Sequence, residues 1–140
     1  MNYYVCNSCG HVEFHFSPEV CPICHSEKEK FNLQNDVFSE SKENTPNGEE
    51  KHVSVLEIKG GEENAGKMIS IKIGKTLHPS DEDHHIIFAD SYLDDKFVSR
   101  IYFSDKVSPV SYLCVKKDFA KISVVSFCNI HGWWLGEKQI

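Results

Sequence analysis

Lys67-Met68-Ile69-Ser70-Ile71-Lys72-Ile73-Gly74 is the stretch that decides the fold. Ile69, Ile71 and Ile73 alternate with Ser70 and Lys72, so one face is apolar and the other polar, the period-two signature of a half-buried strand. Leu113 and Val115 alternate in the same way with Tyr112 and Cys114. Further runs rich in Val, Ile, Phe and Tyr extend over His52–Lys59, His84–Tyr92, Phe97–Phe103, Val110–Lys116 and Lys121–Cys128. Turn signals separate them at Gly60-Gly61, His78-Pro79, Asp94-Asp95 and Ser108-Pro109. No segment carries a sustained 3.6-residue apolar stripe. The expected fold is all-β, an immunoglobulin-like sandwich over residues 50–140.

Upstream the pattern changes. Residues 37–49, Val-Phe-Ser-Glu-Ser-Lys-Glu-Asn-Thr-Pro-Asn-Gly-Glu, are polar and hold Pro46 and the turn pair Asn47-Gly48, which reads as a linker. Residues 1–36 form a separate unit. From Tyr4 to Phe31 this unit has too few apolar residues to fold by burial alone, so a bound metal must supply the missing stability.

With 40% hydrophobic and 26% charged residues, the chain has an ordinary globular balance. Its formal charge of −6 argues against nucleic acid or an anionic membrane as the main partner. Residues 1–48 hold three Lys against seven Asp and Glu, and the remainder twelve basic against fourteen acidic, so the front unit is the more acidic. No apolar run approaches the roughly 18 residues of a membrane span. The N-terminus shows neither a basic nor an apolar signal region, and the cytoplasm is the expected compartment.

Six cysteines in a reducing compartment read as metal ligands or core thiols before disulfides. Cys6, Cys9, Cys21 and Cys24 form two CxxC pairs, eleven residues apart. Each CxxC turn aims two thiolates at one centre, and two such turns complete a tetrahedron suited to iron or zinc. A zinc ribbon that only holds its own loop fits this spacing equally. Cys114, in mid-run between Leu113 and Val115, reads as a small core residue.

Tyr4-Val5-Cys6-Asn7-Ser8-Cys9-Gly10, Cys21-Pro22-Ile23-Cys24 and Glu29-Lys30-Phe31 resemble the rubredoxin-like module of rubrerythrins. The resemblance implies one electron-shuttling iron, with zinc as the alternative, held by Cys6, Cys9, Cys21 and Cys24. His25 stands where a glycine commonly follows the second pair.

The eight histidines are informative by placement. His52 opens a run, His78 and His84 flank a Pro-containing loop, and Cys128-Asn129-Ile130-His131 closes the last run before Gly132. Loops at one rim of a sandwich are where separate segments converge on a metal. Glu50-Lys51-His52-Val53, Ile73-Gly74 with His78-Pro79 and His84, and Cys128-Asn129-Ile130-His131-Gly132-Trp133-Trp134 resemble the desulfoferrodoxin and neelaredoxin family of superoxide reductases. Ser54 and Ser80 depart from its usual proline and methionine; neither is a ligand position.

That resemblance implies four equatorial imidazoles from His52, His78, His84 and His131, with Cys128 as axial thiolate, around a non-haem iron. His85 is off register, and His11 and His15 have no matching role. The reaction implied is one-electron reduction of superoxide to hydrogen peroxide, with the iron re-reduced by an external donor such as rubredoxin. Lys51 would attract the anion and Glu50 would occupy the sixth position in the resting ferric state. Thiolate donation to iron favours the chemistry, and the amides of Ile130 and His131 are placed to tune the Cys128 sulfur. The family also implies a homo-oligomer. Two other classes stay open on the residues alone: a non-enzymatic iron electron-transfer protein, and a zinc-ribbon interaction module fused to a binding domain.

Overall fold

The computed structural model describes residues 2–60 and 65–140. Gly61, half of one expected turn, lies outside them. Three short strands, β1 (Tyr3–Cys6), β2 (Val12–Glu13) and β3 (Phe31–Gln34), form an N-terminal sheet in the order β2-β1-β3. Helices α1 (Val37–Asn44) and α2 (Glu49–His52) lead into the sandwich. Its strands are β4 (Ser54–Gly60), β5 (Lys67–Ile73), β6 (Ile86–Leu93), β7 (Lys96–Tyr102), β8 (Val110–Val115), β9 (Lys121–Cys128) and β10 (Gly132–Gln139). They make a three-stranded sheet, β4-β5-β8, and a four-stranded sheet, β10-β9-β6-β7, antiparallel throughout.

The all-β reading holds, and the isoleucine alternation of β5 faces the way it implied. Ile69, Ile71 and Ile73 enter the core between the sheets with Leu56, Ile86, Ile122 and Val124. The Asp94-Asp95 turn closes the β6–β7 hairpin with both residues at positive φ, +48° and +67°, the two-residue geometry that matches strand twist. Asp94 Oδ1 then accepts the amides of Ala120 and Lys121, each at 3.0 Å.

Three expectations need correction. Residues 37–49 are largely helical, because Asp36 caps α1 by accepting the amides of Phe38 and Ser39 and Val37 is buried against the N-terminal unit. Cys114 is exposed: β8 is an edge strand, and its period two puts Cys114 on the solvent side with Tyr112. A seventh sandwich strand, β10, was not among the expected runs. It carries Gly132 and Gly136, which weaken a strand signal. Gly136 is required there, since a Cβ would sit 2.7 Å from the Ser54 carbonyl oxygen of β4.

The four-stranded sheet is buried on both faces. β9 sends Ile122 and Val124 inward, while Val125 and, from β6, Tyr92 point outward into a second cluster with Tyr3, Val5, Val12 and Phe14 of the N-terminal unit. A buried polar network joins the two layers. Arg100 Nη2 donates to Asp90 Oδ2 at 2.8 Å and its Nε to Asp90 Oδ1. His11, fully buried, donates through Nδ1 to Asp90 and through Nε2 to Glu13. Burial works against the charged imidazole, but the two carboxylates outweigh it and hold the His11 pKa above its ordinary value. His11, without a role in the sequence pattern, is thus a docking residue. His15 bonds Asp95 at the surface at 2.8 Å.

Asp90 balances two buried cations, so Asp90→Ala would strand both. It is expected to cost about 3–5 kcal/mol in urea unfolding. A loss below about 1 kcal/mol would mean that the network is not what fastens the N-terminal unit.

Candidate metal centre

The rim of the sandwich that collects the ends of α2, β5 and β9 gathers four imidazoles and a thiol. His52 ends α2 and does not open a strand; β4 begins two residues later. The helix end is clamped from below. Gly74 has φ +95°, and a Cβ there would lie 2.7 Å from the Lys51 carbonyl oxygen, so only glycine lets the loop after β5 pass. That loop delivers His78, whose amide donates to the Ile73 carbonyl at 3.0 Å. His84 follows at a bridge with Asp81, and Cys128 and His131 bracket the turn from β9 to β10.

The rings lie in the cyclic order His52, His78, His84, His131. Neighbouring centroids are 4.7, 4.7, 5.0 and 5.0 Å apart, each pair edge-on at 70–81°, and the His52–His84 diagonal is 6.5 Å. A metal bonded to imidazole nitrogens at about 2.1 Å would place centroids about 3.2 Å from it, giving edges of about 4.5 Å and diagonals of about 6.4 Å. The square of rings therefore fits one ion at its centre. Ligand atoms of His52, His84, Cys128 and His131 lie within 4.8 Å of one another. His78 joins them by ring position and by its nitrogen. Nε2 of His52, His78 and His84 is buried without a hydrogen-bond partner, and a cation at the centre of the four rings would satisfy all three.

Backbone carbonyls set the tautomers. His52 Nδ1 donates to the Gly48 carbonyl at 2.7 Å and His78 Nδ1 to the Pro79 carbonyl at 2.8 Å, leaving each Nε2 bare. Trp134 stacks on His52 at 4.6 Å and donates its indole N–H to the His131 carbonyl. Asn129 ties the two loops together, donating to the Asp83 carbonyl and accepting the His85 amide. Sequence reasoning did not single out Gly48, Asn129 or Trp134 for these roles; the last two lie inside the motif that was read for its ligands. His85 is not among the clustered ligand atoms, and its Nδ1 bonds the Asp81 carbonyl at 2.9 Å.

Burial, chiefly, pushes the His52 and His78 pKa values down to about 4, and neighbouring imidazoles push the same way. Burial raises the Cys128 thiol, against the hydrogen bonds of the His131 and Ile130 amides to its sulfur. Those amides are where the CxxH spacing put them. Glu50 and Lys51 are both exposed on the last turn of α2, directly before His52.

The second cluster is built from two matching turns. Gly10 N bonds the Cys6 carbonyl and His25 N the Cys21 carbonyl, and each turn ends in a left-handed residue, Gly10 at φ +78° and His25 at φ +63°. Histidine here adopts the backbone that a glycine would take without strain. The sulfurs of Cys6 and Cys24 are 3.6 Å apart, as are those of Cys9 and Cys21. A tetrahedron with metal–sulfur bonds of about 2.3 Å has edges of about 3.8 Å, so the four thiols fit one ion. Burial acts upward on Cys24, but hydrogen bonds from Ser26 and the neighbouring thiols prevail and bring it down to about 6.

Residues 44–137 match the sequence model of the Desulfoferrodoxin family, two-thirds of the chain. The chain belongs to the desulfoferrodoxin family. Residues 4–32 match the rubredoxin-like domain of rubrerythrin. A desulfoferrodoxin homolog of Archaeoglobus fulgidus is 33% identical over 90 residues, which cover 64% of this chain and 65% of that one. The desulfoferrodoxin of Desulfarculus baarsii is 27% identical over 137 residues, covering 96% of this chain and 94% of its own. Among solved structures, the superoxide reductase from Nanoarchaeum equitans superimposes with a TM-score of 0.56 at 28% identity, over 64% of this chain and 93% of that one. A four-cysteine knuckle and a histidine-rich rim are thus present together in one desulfoferrodoxin-family chain.

The depressed histidines set a pH dependence in the metal-free protein. The unfolded chain takes protons on these residues as pH falls through about 6.5, whereas the folded protein resists until about 4. Stability of the metal-free form is therefore expected to fall as pH drops between those values and to level off below. Urea midpoints should show the fall, and His78→Gln should weaken it; an unchanged slope in that variant would contradict the burial argument.

Proposed function

We propose that this desulfoferrodoxin-family chain is a superoxide reductase whose catalytic iron is held by His52, His78, His84, His131 and Cys128. The observation that carries the reading is the square of four buried imidazoles beside one buried thiol, with three ring nitrogens lacking any partner. Iron held by these residues would supply the one electron that, with two protons, converts superoxide to hydrogen peroxide. Imidazole and thiolate donors suit a metal that cycles between oxidation states.

The chain's own residues prepare the site. Gly48 and Pro79 carbonyls hold two imidazoles in the ligating tautomer. The Ile130 and His131 amides hydrogen-bond the Cys128 sulfur and so limit how strongly it donates. Lys51, exposed beside His52, would draw the superoxide anion toward the rim, and Glu50, exposed next to it, would offer a carboxylate to the oxidised site. Residues 1–36 act as an accessory electron-carrying unit through Cys6, Cys9, Cys21 and Cys24, residues 37–49 connect it, and residues 50–140 carry the reaction. A rubredoxin-like protein returns electrons, the chain assembles with copies of itself, and it works in the cytoplasm. Among the described residues no helix is long and apolar enough to cross a membrane.

Reduced protein mixed with superoxide is expected to give one hydrogen peroxide per superoxide and no dioxygen. Absence of peroxide would leave an electron-transfer protein, and zinc as the only bound metal would leave an interaction module. Cys128→Ser should retain metal but lose turnover, because a hydroxyl does not supply thiolate donation. Lys51→Ala should slow the bimolecular step by on the order of fivefold, with the deficit shrinking as salt rises. A rate and salt dependence equal to those of the parent would remove Lys51 from the reaction.

A further inference from the structure

Two side chains of the sandwich grip consecutive carbonyls of the first cysteine knuckle. Arg100 Nη1 donates to the Cys9 carbonyl at 2.9 Å, and Trp133 Nε1 donates to the Gly10 carbonyl at 2.9 Å. The two contacts differ in what lies behind them. Arg100 leads back to Asp90 and the docking network. Trp133 leads to the rim: through Gly132 it is joined covalently to His131, and its ring lies 4.8 Å from that of Phe127, its ladder partner, which immediately precedes Cys128. Trp133 also lines, with Phe88, Phe127 and Arg100, the cleft between the knuckle and the four-stranded sheet. One indole thus touches the backbone next to a ligand of the four-thiolate centre, while its own residue stands two positions after His131 and packs on Phe127, the residue before Cys128.

Resting on the superoxide reductase reading, we infer that Trp133 couples the two metal centres electronically within one chain. With iron held by Cys6, Cys9, Cys21 and Cys24 and iron held at the histidine rim, the coupling would let one electron pass after each turnover from the first site, oxidised from ferrous to ferric, to the second, reduced from ferric to ferrous, with no atom or proton exchanged; a one-electron protein donor would then re-reduce the first. Trp133 touches neither metal and acts as a positioning and coupling residue, through the Gly10 hydrogen bond on one side and Gly132 and Phe127 on the other.

The test uses fully reduced, iron-loaded protein mixed with one equivalent of superoxide, with both ferric visible bands followed in time. The histidine-site band should rise and then decay, while the four-thiolate band grows with the same rate constant, independent of protein concentration. Trp133→Phe keeps a ring and removes the N–H; it should slow this second phase several-fold, with both spectra and the first phase unchanged. Trp133→Tyr serves the same purpose if the phenylalanine variant does not fold. Arg100→Lys, which loosens the knuckle but leaves the Trp133 N–H to Gly10, should leave the second phase close to that of the parent.

A second phase that is missing, scales with protein concentration, or is equally fast in Trp133→Phe would overturn the inference. So would an equal loss in Arg100→Lys, which would mark simple loosening, or zinc as the sole metal of the four-thiolate site. None of these touches the first phase and its peroxide yield. Loss of that phase in the parent protein would instead refute the superoxide reductase reading.

Discussion

Three buried imidazole nitrogens without a partner are the constraint around which this fold is arranged. Each would cost about 1–3 kcal/mol if left in an apolar setting with nothing to bind. The surrounding backbone preserves that cost where it could have relieved it. Gly48 and Pro79 carbonyls take the Nδ1 protons, Trp134 stacks on one ring, and the glycine at 74 brings the loop under the helix end without clash. A cation repays the arrangement, and the square of ring centroids has the size that imidazole ligation requires. Metal binding and the ordering of α2, the His78–His84 loop and the β9–β10 turn are thus thermodynamically linked.

The sheet that carries Cys128 is stabilised from both sides. Its inner face meets the β4-β5-β8 sheet, and its outer face meets the N-terminal unit through Tyr92, Val125 and the Asp90 network. A small cysteine-knuckle unit buries little apolar area of its own, so a metal inside it and a neighbour beneath it are complementary sources of stability. The buried ion pairs add specificity of docking more than strength, because desolvation offsets much of their attraction. They fix which knuckle faces the sheet, and therefore which carbonyls Arg100 and Trp133 can reach.

The rim carries both signs of charge, with Glu50 and Lys51 exposed directly before His52 and Asp81, Glu82 and Asp83 exposed before His84. The chain as a whole is acidic, yet the residue beside His52 at the rim is a lysine. Screening confines each such charge to about 10 Å at ordinary ionic strength, so the groups nearest the site matter more to an approaching ion than the net charge of the chain.

What the sequence determined by itself follows from local rules. Period two in β5, the Asp94-Asp95 turn and the CxxC and CxxH spacings each depend on residues near one another in the chain, and each appears in the structure as read. The helical reading of 37–49 escaped because its apolar face is only Val37 and Phe38, and it forms by capping at Asp36 and contact with the N-terminal unit. β10 escaped because its glycines serve a close approach to β4 that is invisible locally. Tertiary structure alone decided the rest. His11 meets Asp90 across 79 residues, Arg100 reaches Cys9 across 91, and Trp133 reaches Gly10 across 123. No spacing rule connects positions so far apart; only packing of one sheet against another brings a donor to a particular carbonyl.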